Sequence, residues 1–178
     1  LRGDYGLEVY NAQALKELKK MGLVSCALSF ELKLAQIRDL SKGLDTELVV
    51  YGRLPLMITE NCLVQNETGC RLDRQGPCVP EDGPCRCGQP NVLVDRTGAA
   101  FPLLPAYGHR TEIQNSKPLY LADRPEHRRL GLAYARLRFT TETAEECVSV
   151  VQNYLDAAPA AGDFTRGLYE RGVESVSY

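Results

Sequence analysis

Residues 23–51 of this 178-residue chain read LVSCALSFELKLAQIRDLSKGLDTELVVY, and they decide the fold class. The runs 23–28 and 47–51 have the length and the apolar composition of buried strands. Between them apolar residues recur at helical spacing, with Ser29 as a candidate N-cap and Gly43 near the end of the helix. Parallel strands need a crossover connection of this kind, so the stretch predicts a βαβ unit.

The residues before this stretch repeat its pattern. Leu7–Tyr10 predicts a short strand, Asn11 predicts an N-cap, and 12–21 predicts a helix that Gly22 ends. Strands that alternate with helices at this spacing predict an α/β fold, as an open sheet or as part of a (β/α)₈ barrel.

Polar residues follow the predicted strands. Glu31 comes after the second strand, and Arg53, Glu60 and Asn61 come after the third. Ligands of parallel α/β folds bind at the carboxyl ends of the strands. These four residues are therefore candidates for a catalytic or binding role.

The chain changes character after this βα segment, which we assign to residues 1–60. Residues 61–90 combine cysteine, glycine, proline and charge without an apolar period, and they predict a long irregular loop. Residues 91–158 predict a small antiparallel β portion, with a hairpin around Arg96–Gly98 and an alternating strand at 133–139. Thr141 or Thr143 is predicted to cap the helix that follows. Residues 159–178 are predicted to form a surface tail.

Five of the seven cysteines are clustered in the sequence, at Cys62, Cys70, Cys78, Cys85 and Cys87. Thiols at this density indicate either a metal centre or a disulfide framework. Disulfide scaffolds are mostly short secreted domains, and no charged-then-apolar leader precedes the first strand, so a metal is favoured. The other two, Cys26 and Cys147, lie in regular apolar segments and are predicted to be small core residues.

The composition is that of a globular protein, with 44% hydrophobic and 25% charged residues. A net charge of −2 gives no general attraction to nucleic acid, so the basic residues of 124–129, Arg136 and Arg138 are predicted to be a solvated face rather than an RNA contact. The sequence has no apolar stretch of the ~20 residues that span a bilayer. We expect no membrane partner and a cytoplasmic protein.

Six stretches match motifs of one known family, both in their residues and in their order along the chain. They are 3–7 (Gly-Asp-Tyr-Gly-Leu), 28–32 (Leu-Ser-Phe-Glu-Leu), 51–62 (Tyr-Gly-Arg-Leu-Pro-Leu-Met-Ile-Thr-Glu-Asn-Cys), 95–98 (Asp-Arg-Thr-Gly), 112–119 (Glu-Ile-Gln-Asn-Ser-Lys-Pro-Leu) and 164–167 (Phe-Thr-Arg-Gly). In these stretches the chain resembles the collagenase-like peptidase family U32. The resemblance implies the later βα units of a (β/α)₈-type barrel whose first strands precede Leu1. It also implies that the chain pairs with that missing N-terminal half or with itself.

The resemblance implies two kinds of activity. The family name implies a peptidase, but the two histidines, His109 and His127, lack the spacing of a zinc-peptidase helix, and no nucleophile-elbow motif is present. Cys62 with His109 is a conceivable thiol-peptidase pair, although their spacing does not single it out. Other members act in hydroxylation of RNA or of quinones and carry a four-iron four-sulfur cluster on four cysteines, which fits the cysteine segment better. A structural zinc-bearing binding module is the third alternative, so whether the chain is an enzyme stays open.

The family pattern also implies cluster ligands. Cys62, Cys70 and Cys87 match it, with Cys85 as an alternative to Cys87. The last ligand of the family falls where this chain has His109 and no cysteine, so His109, Cys78 or Cys85 is left to complete the site. Zinc on the same thiolates is the competing metal. The expected partners are RNA or a small aromatic substrate.

Overall fold

The computed structural model describes residues 1–68 and 89–172. The chain divides into two compact units, Leu1–Gly52 with Pro118–Tyr178, and Arg53–Lys117. We call these the first and the second unit. Their boundaries differ from the segment boundaries expected at 60, 90 and 158, because the chain returns to the first unit at Pro118.

The first unit is built on a five-stranded mixed sheet. Its elements are β1 (Arg2–Gly3), α1 (Ala12–Lys20), β2 (Ser25–Ala27), α2 (Leu34–Asp39), β3 (Asp45–Gly52), then β8 (Leu119–Tyr120), β9 (Tyr134–Leu137) and α4 (Ala144–Asp156). Strands β1, β2 and β3 are parallel neighbours, as the alternation of strands and helices predicts. The barrel itself, and the self-association expected from it, stay predictions.

The first strand lies earlier in the chain than expected. The prediction of a strand at Leu7–Tyr10 is wrong, because Tyr5–Leu7 forms a 3₁₀ turn and β1 is Arg2–Gly3. The carboxylate of Asp4 accepts the N–H of Tyr5 at 2.7 Å, and the Leu7 N–H donates to the Asp4 carbonyl at 3.1 Å. These two bonds turn the chain directly after β1. The helix cap at Asn11 is confirmed, since its side chain accepts the Ala14 N–H at 2.9 Å.

The strands after the second unit join the parallel strands instead of a separate antiparallel portion. Strand β9 runs parallel to β3, and β8 runs antiparallel to the end of β3. Residues 118–140 therefore complete the first unit. The predicted cap of α4 is confirmed, because Thr143 and Glu146 bond each other's backbone N–H groups.

The segment after residue 158 is not a surface tail. Thr165 forms a parallel bridge with Leu119, and the side chain of Tyr169 is buried with its hydroxyl 2.7 Å from the Val49 carbonyl. Arg166 makes a bidentate ion pair with Asp123, with N–O distances of 2.6 and 2.7 Å. The prediction failed because the docking partners lie far away in the sequence.

An aromatic cluster forms the core beside the mixed sheet. Tyr51, Tyr120 and Ala122 are buried, and α4 covers them with Val150 and Tyr154. The Tyr154 hydroxyl donates to the Val50 carbonyl and accepts the Leu121 N–H at 2.8 Å. Burial raises the pKa of Tyr154, so its hydroxyl stays a neutral cross-link between β3 and the chain after β8.

The second unit is a four-stranded antiparallel sheet with strand order β4-β7-β6-β5. Its elements are β4 (Pro55–Thr59), α3 (Leu63–Thr68), β5 (Asn91–Val94), β6 (Ala100–Ala106) and β7 (Arg110–Gln114). The hairpin predicted around Arg96–Gly98 is confirmed, and the turn is held by the Asp95 carboxylate, which accepts from the N–H of Thr97 and of Ala99. Strand β4 was not predicted.

In residues 1–68 and 89–172, no helix combines the length and the hydropathy needed to cross a membrane.

Candidate functional site

Glu31 lies in a polar cluster where the parallel strands of the first unit end. The hydroxyl of Tyr10 donates to a carboxylate oxygen of Glu31. The fully buried Ser29, two residues after β2, accepts the Glu31 N–H at 3.3 Å and donates to the carboxylate of Glu8 at 3.1 Å. Ser29 therefore links the Glu8 carboxylate to the backbone of Glu31 and does not cap α2, whose N-cap is Lys33. We call Glu8, Tyr10, Ser29 and Glu31 the strand-end cluster.

The strand-end cluster holds one proton firmly. Partial burial and the hydrogen bond to Glu31 together raise the pKa of Tyr10 to about 12. At neutral pH Tyr10 is thus a neutral donor to an acceptor carboxylate. A phenol and carboxylates that meet at the carboxyl ends of parallel strands are groups that can hold or pass a proton.

Glu31→Gln tests this cluster. We expect the pKa of Tyr10 to fall below about 12 without returning fully to its ordinary value of 10.0, because partial burial is the larger cause and stays in place. NMR of the chain labelled at the tyrosine ring carbon next to the hydroxyl reads this pKa. Glu17→Gln on α1 is the control and should leave it unchanged. A wild-type Tyr10 that titrates near 10 would contradict the cluster.

Arg53 lies in the second unit and holds a turn. Its guanidinium donates to the carbonyl of Asn115 at 3.0 Å and to that of Ser116. The Asn115 N–H returns a bond to the Leu54 carbonyl at 2.9 Å. These contacts fix the turn that contains the Asn-Ser motif, so the structure gives Arg53 a positioning role.

Glu60 and Asn61 do not follow a parallel strand. They come after β4, an antiparallel strand, so the strand-end argument that proposed them was wrong for these two residues. The Glu60 carboxylate pairs with Arg110 at 2.9 Å on the exposed surface. The Asn61 carbonyl accepts the Thr59 hydroxyl at 2.6 Å. Both residues shape the end of β4.

Cys62 and His109 lie at the same end of the antiparallel sheet, where β4 finishes and β7 begins. Thr59, at the end of β4, is the register partner of Thr111 in β7. Cys62 follows Thr59 by three positions, and His109 precedes Thr111 by two, in the turn between β6 and β7. The N–H of Leu63 donates to the hydroxyl of Thr111 at 3.0 Å, which holds the residue after Cys62 at this end of the sheet. The sequence-predicted pair is therefore brought to one end of one sheet.

The side chain of Cys62 is buried, and His109 is half-buried with a left-handed backbone at φ 59°. The other predicted ligands, Cys70, Cys78, Cys85 and Cys87, lie outside the described residues. In the part of the chain that the structure describes, no three Cys, His, Asp or Glu side chains come close enough to hold a metal. Thiol sulfur and imidazole nitrogen suit zinc and iron, so the described residues fit part of a ligand set.

Sequence reasoning missed a partly buried ion-pair network in the first unit. Arg136 of β9 donates to one carboxylate oxygen of Glu47 in β3 at 3.0 and 2.7 Å, and it also donates to Asp4. The Ser25 hydroxyl donates to the other Glu47 oxygen at 3.3 Å. The prediction of a solvated Arg136 was wrong. The available signal was Glu47, a charged residue inside an apolar strand.

His127 and Cys147 also differ from expectation. His127 was predicted to be solvated, but it is buried and its Nδ1 lies 2.5 Å from the Arg124 carbonyl. Burial lowers its pKa, so the ring is neutral in the core. Cys147 is half-buried on α4, whereas Cys26 is fully buried as predicted.

A family model described as Peptidase family U32 matches residues 5–96, just over half of the chain. The chain belongs to peptidase family U32. The U32 match includes the strand-end cluster and Cys62, and it stops before His109 and Arg136. No curated protein and no solved structure matches the chain.

Proposed function

We propose that this U32 chain carries a cysteine-ligated iron–sulfur cluster and acts in hydroxylation of RNA or of a small aromatic substrate. The observation that supports the proposal is that Cys62 and His109 lie at the same end of the antiparallel sheet. Cys62 is buried there, and in the sequence it precedes Cys70, Cys78, Cys85 and Cys87.

The donor set favours iron–sulfur chemistry. Cys62, Cys70 and Cys87 would hold the cluster, and His109, Cys78 or Cys85 would supply the fourth ligand. Iron–sulfur clusters take thiolate ligands, and histidine replaces cysteine in some of them. When bound, the cluster supplies electron transfer. The chain itself positions Cys62 through the Leu63–Thr111 hydrogen bond.

A thiol-dependent peptidase is the second candidate function. The family description favours it, and so does the position of Cys62 and His109 at the same end of the antiparallel sheet. A cysteine peptidase needs a thiolate activated by a neighbouring imidazole and no metal. Metal-free protein that cleaves a gelatin-derived peptide, and that loses this activity on alkylation of Cys62, would establish the peptidase and displace the cluster proposal. A structural zinc module would instead bind zinc and catalyse nothing.

Replacing the proposed ligands separates these alternatives. In anaerobically purified protein we expect Cys62→Ser and Cys87→Ser each to lose most of the bound iron, because a serine hydroxyl is a poor ligand for it. Metal analysis of each purified variant gives the result. Cys147→Ser on α4 is the matched control, since that thiol lies in the first unit, and it should keep the full complement. If both ligand variants retained all of the iron, Cys62 and Cys87 would not be ligands of the cluster.

A further inference from the structure

The first unit has an open polar cavity at the opposite ends of the strands from the strand-end cluster. Its volume is about 540 Å³, and it is lined by Lys19, Leu23, Lys42, Asp45, Thr46 and Leu132 among others. Asp45 and Thr46 begin β3, whereas Ser29 and Glu31 follow the end of β2. A volume in this range suits a small-molecule ligand.

Two lysine ammonium groups lie at this cavity, and each has at least one N–H donor beyond those used in the bonds described next. Lys19 Nζ, in the last turn of α1, donates to the Gly43 carbonyl at 2.7 Å. Lys42 Nζ donates to the carbonyls of Ile37 and Leu40, at 2.6 and 3.1 Å. An ammonium has three N–H donors, so these bonds use one donor of Lys19 and two of Lys42.

Thr46 supplies a second and independent observation. Its side chain is buried, and its Oγ1 has no hydrogen-bond partner within residues 1–68 and 89–172. The Thr46 carbonyl is already used, because it accepts the Ala133 N–H at 2.9 Å. A buried hydroxyl without a partner costs about 1–3 kcal/mol, so such groups are rare unless something else bonds them.

The charges at the cavity select the ligand. Burial lowers the pKa of Lys42, which means that its ammonium lacks part of the solvation that an anion would replace. The Asp45 carboxylate lies in the same lining and disfavours a second negative charge. Leu23 and Leu132 add apolar wall, which suits a ligand with a short hydrocarbon body.

We propose that this cavity binds a small organic monoanion, held by Lys19, Lys42 and Thr46 through its anionic oxygens. A monocarboxylate with a compact apolar body satisfies the orphan hydroxyl and both ammonium groups. The site is independent of the metal proposal, because all of these residues belong to the first unit and Cys62 belongs to the second.

Titration of the ¹⁵N-labelled full chain with sodium benzoate at fixed ionic strength tests the site. We expect saturable amide shifts at Lys42–Thr46 and 131–133, with weaker binding of inorganic phosphate. Lys42→Gln should weaken benzoate binding about tenfold, and Thr46→Val should weaken it several-fold. Asp45→Asn should tighten it, because that change removes the like charge.

Lys20→Gln is the matched control, since Lys20 neighbours Lys19 on α1 but pairs with Glu17 at 2.8 Å on the exposed face. It should bind benzoate as the wild type does. Equal weakening by Lys20→Gln and Lys42→Gln would overturn the proposal, because general charge would then explain the binding. Unchanged affinity in both Asp45→Asn and Thr46→Val, whose side chains hold no helix end, would overturn it as well. So would the absence of saturable shifts in the wild type.

Discussion

Gly52→Ala is expected to destabilise the protein by about 3–5 kcal/mol. Gly52 ends β3 with φ at 119°, a conformation that side chains rarely adopt. A Cβ at this position would lie 2.0 Å from the carbonyl oxygen of Arg138, and a backbone atom cannot rotate away. The Arg138 N–H bonds the Tyr51 carbonyl at 2.9 Å, so relief of the clash would pull the chain after β9 away from β3.

Chemical denaturation of Gly52→Ala against the wild type measures this loss. Gly6→Ala is the matched control, because a Cβ at Gly6 meets no atom within 4 Å. It should change the free energy of unfolding by less than about 1 kcal/mol. A Gly52→Ala variant as stable as Gly6→Ala would contradict the close approach of these two backbone segments.

Arg136→Met is expected to cost about 3 kcal/mol, the lower end for breaking a buried ion pair. The change leaves the Glu47 carboxylate, whose side chain is only 7% exposed, without its guanidinium. The Arg136 side chain is 28% exposed, so solvent screens part of the interaction and the upper end does not apply. The same change also frees Asp4, which is mostly exposed and adds little.

A double-mutant cycle isolates the pair. Arg136→Met with Glu47→Gln should be more stable than the sum of the two single changes predicts, with a coupling of about 2 kcal/mol. Arg38→Met is the control, because the Arg38–Asp39 pair lies on the surface with side chains 64% and 67% exposed. It should cost no more than about 1 kcal/mol. Additive effects at Arg136 and Glu47 would rule out the network.

Local features of the fold could be predicted from the sequence. The caps at Asn11 and Thr143 and the turn at Asp95–Gly98 depend on residues a few positions apart, so local chemistry decides them. The failures have a different origin. Alternation over 133–139 predicted the strand that the structure has at Tyr134–Leu137, but it carries no information about whether that strand joins β3 or a separate sheet. Tyr169 was placed in a tail because its acceptor, Val49, is 120 positions away.

The same distinction holds for the candidate site. The strand-end rule found Glu31 because β2 ends close before it, and it misassigned Glu60 and Asn61 because β4 intervenes after β3. The pairing of Glu47 with Arg136 spans 89 positions, and only the parallel register of β3 and β9 brings them together. Spacing alone predicted neither that network nor the orphan hydroxyl of Thr46, because both depend on tertiary packing.

The iron–sulfur cluster is tested by measuring iron and acid-labile sulfide in the anaerobically purified wild-type chain. We expect iron and sulfide in equal amounts, about four of each per chain, with broad absorption near ~400 nm. Zinc content measured on the same sample separates the structural alternative. A colourless protein that holds neither iron nor sulfide under these conditions would contradict the cluster at Cys62, Cys70 and Cys87.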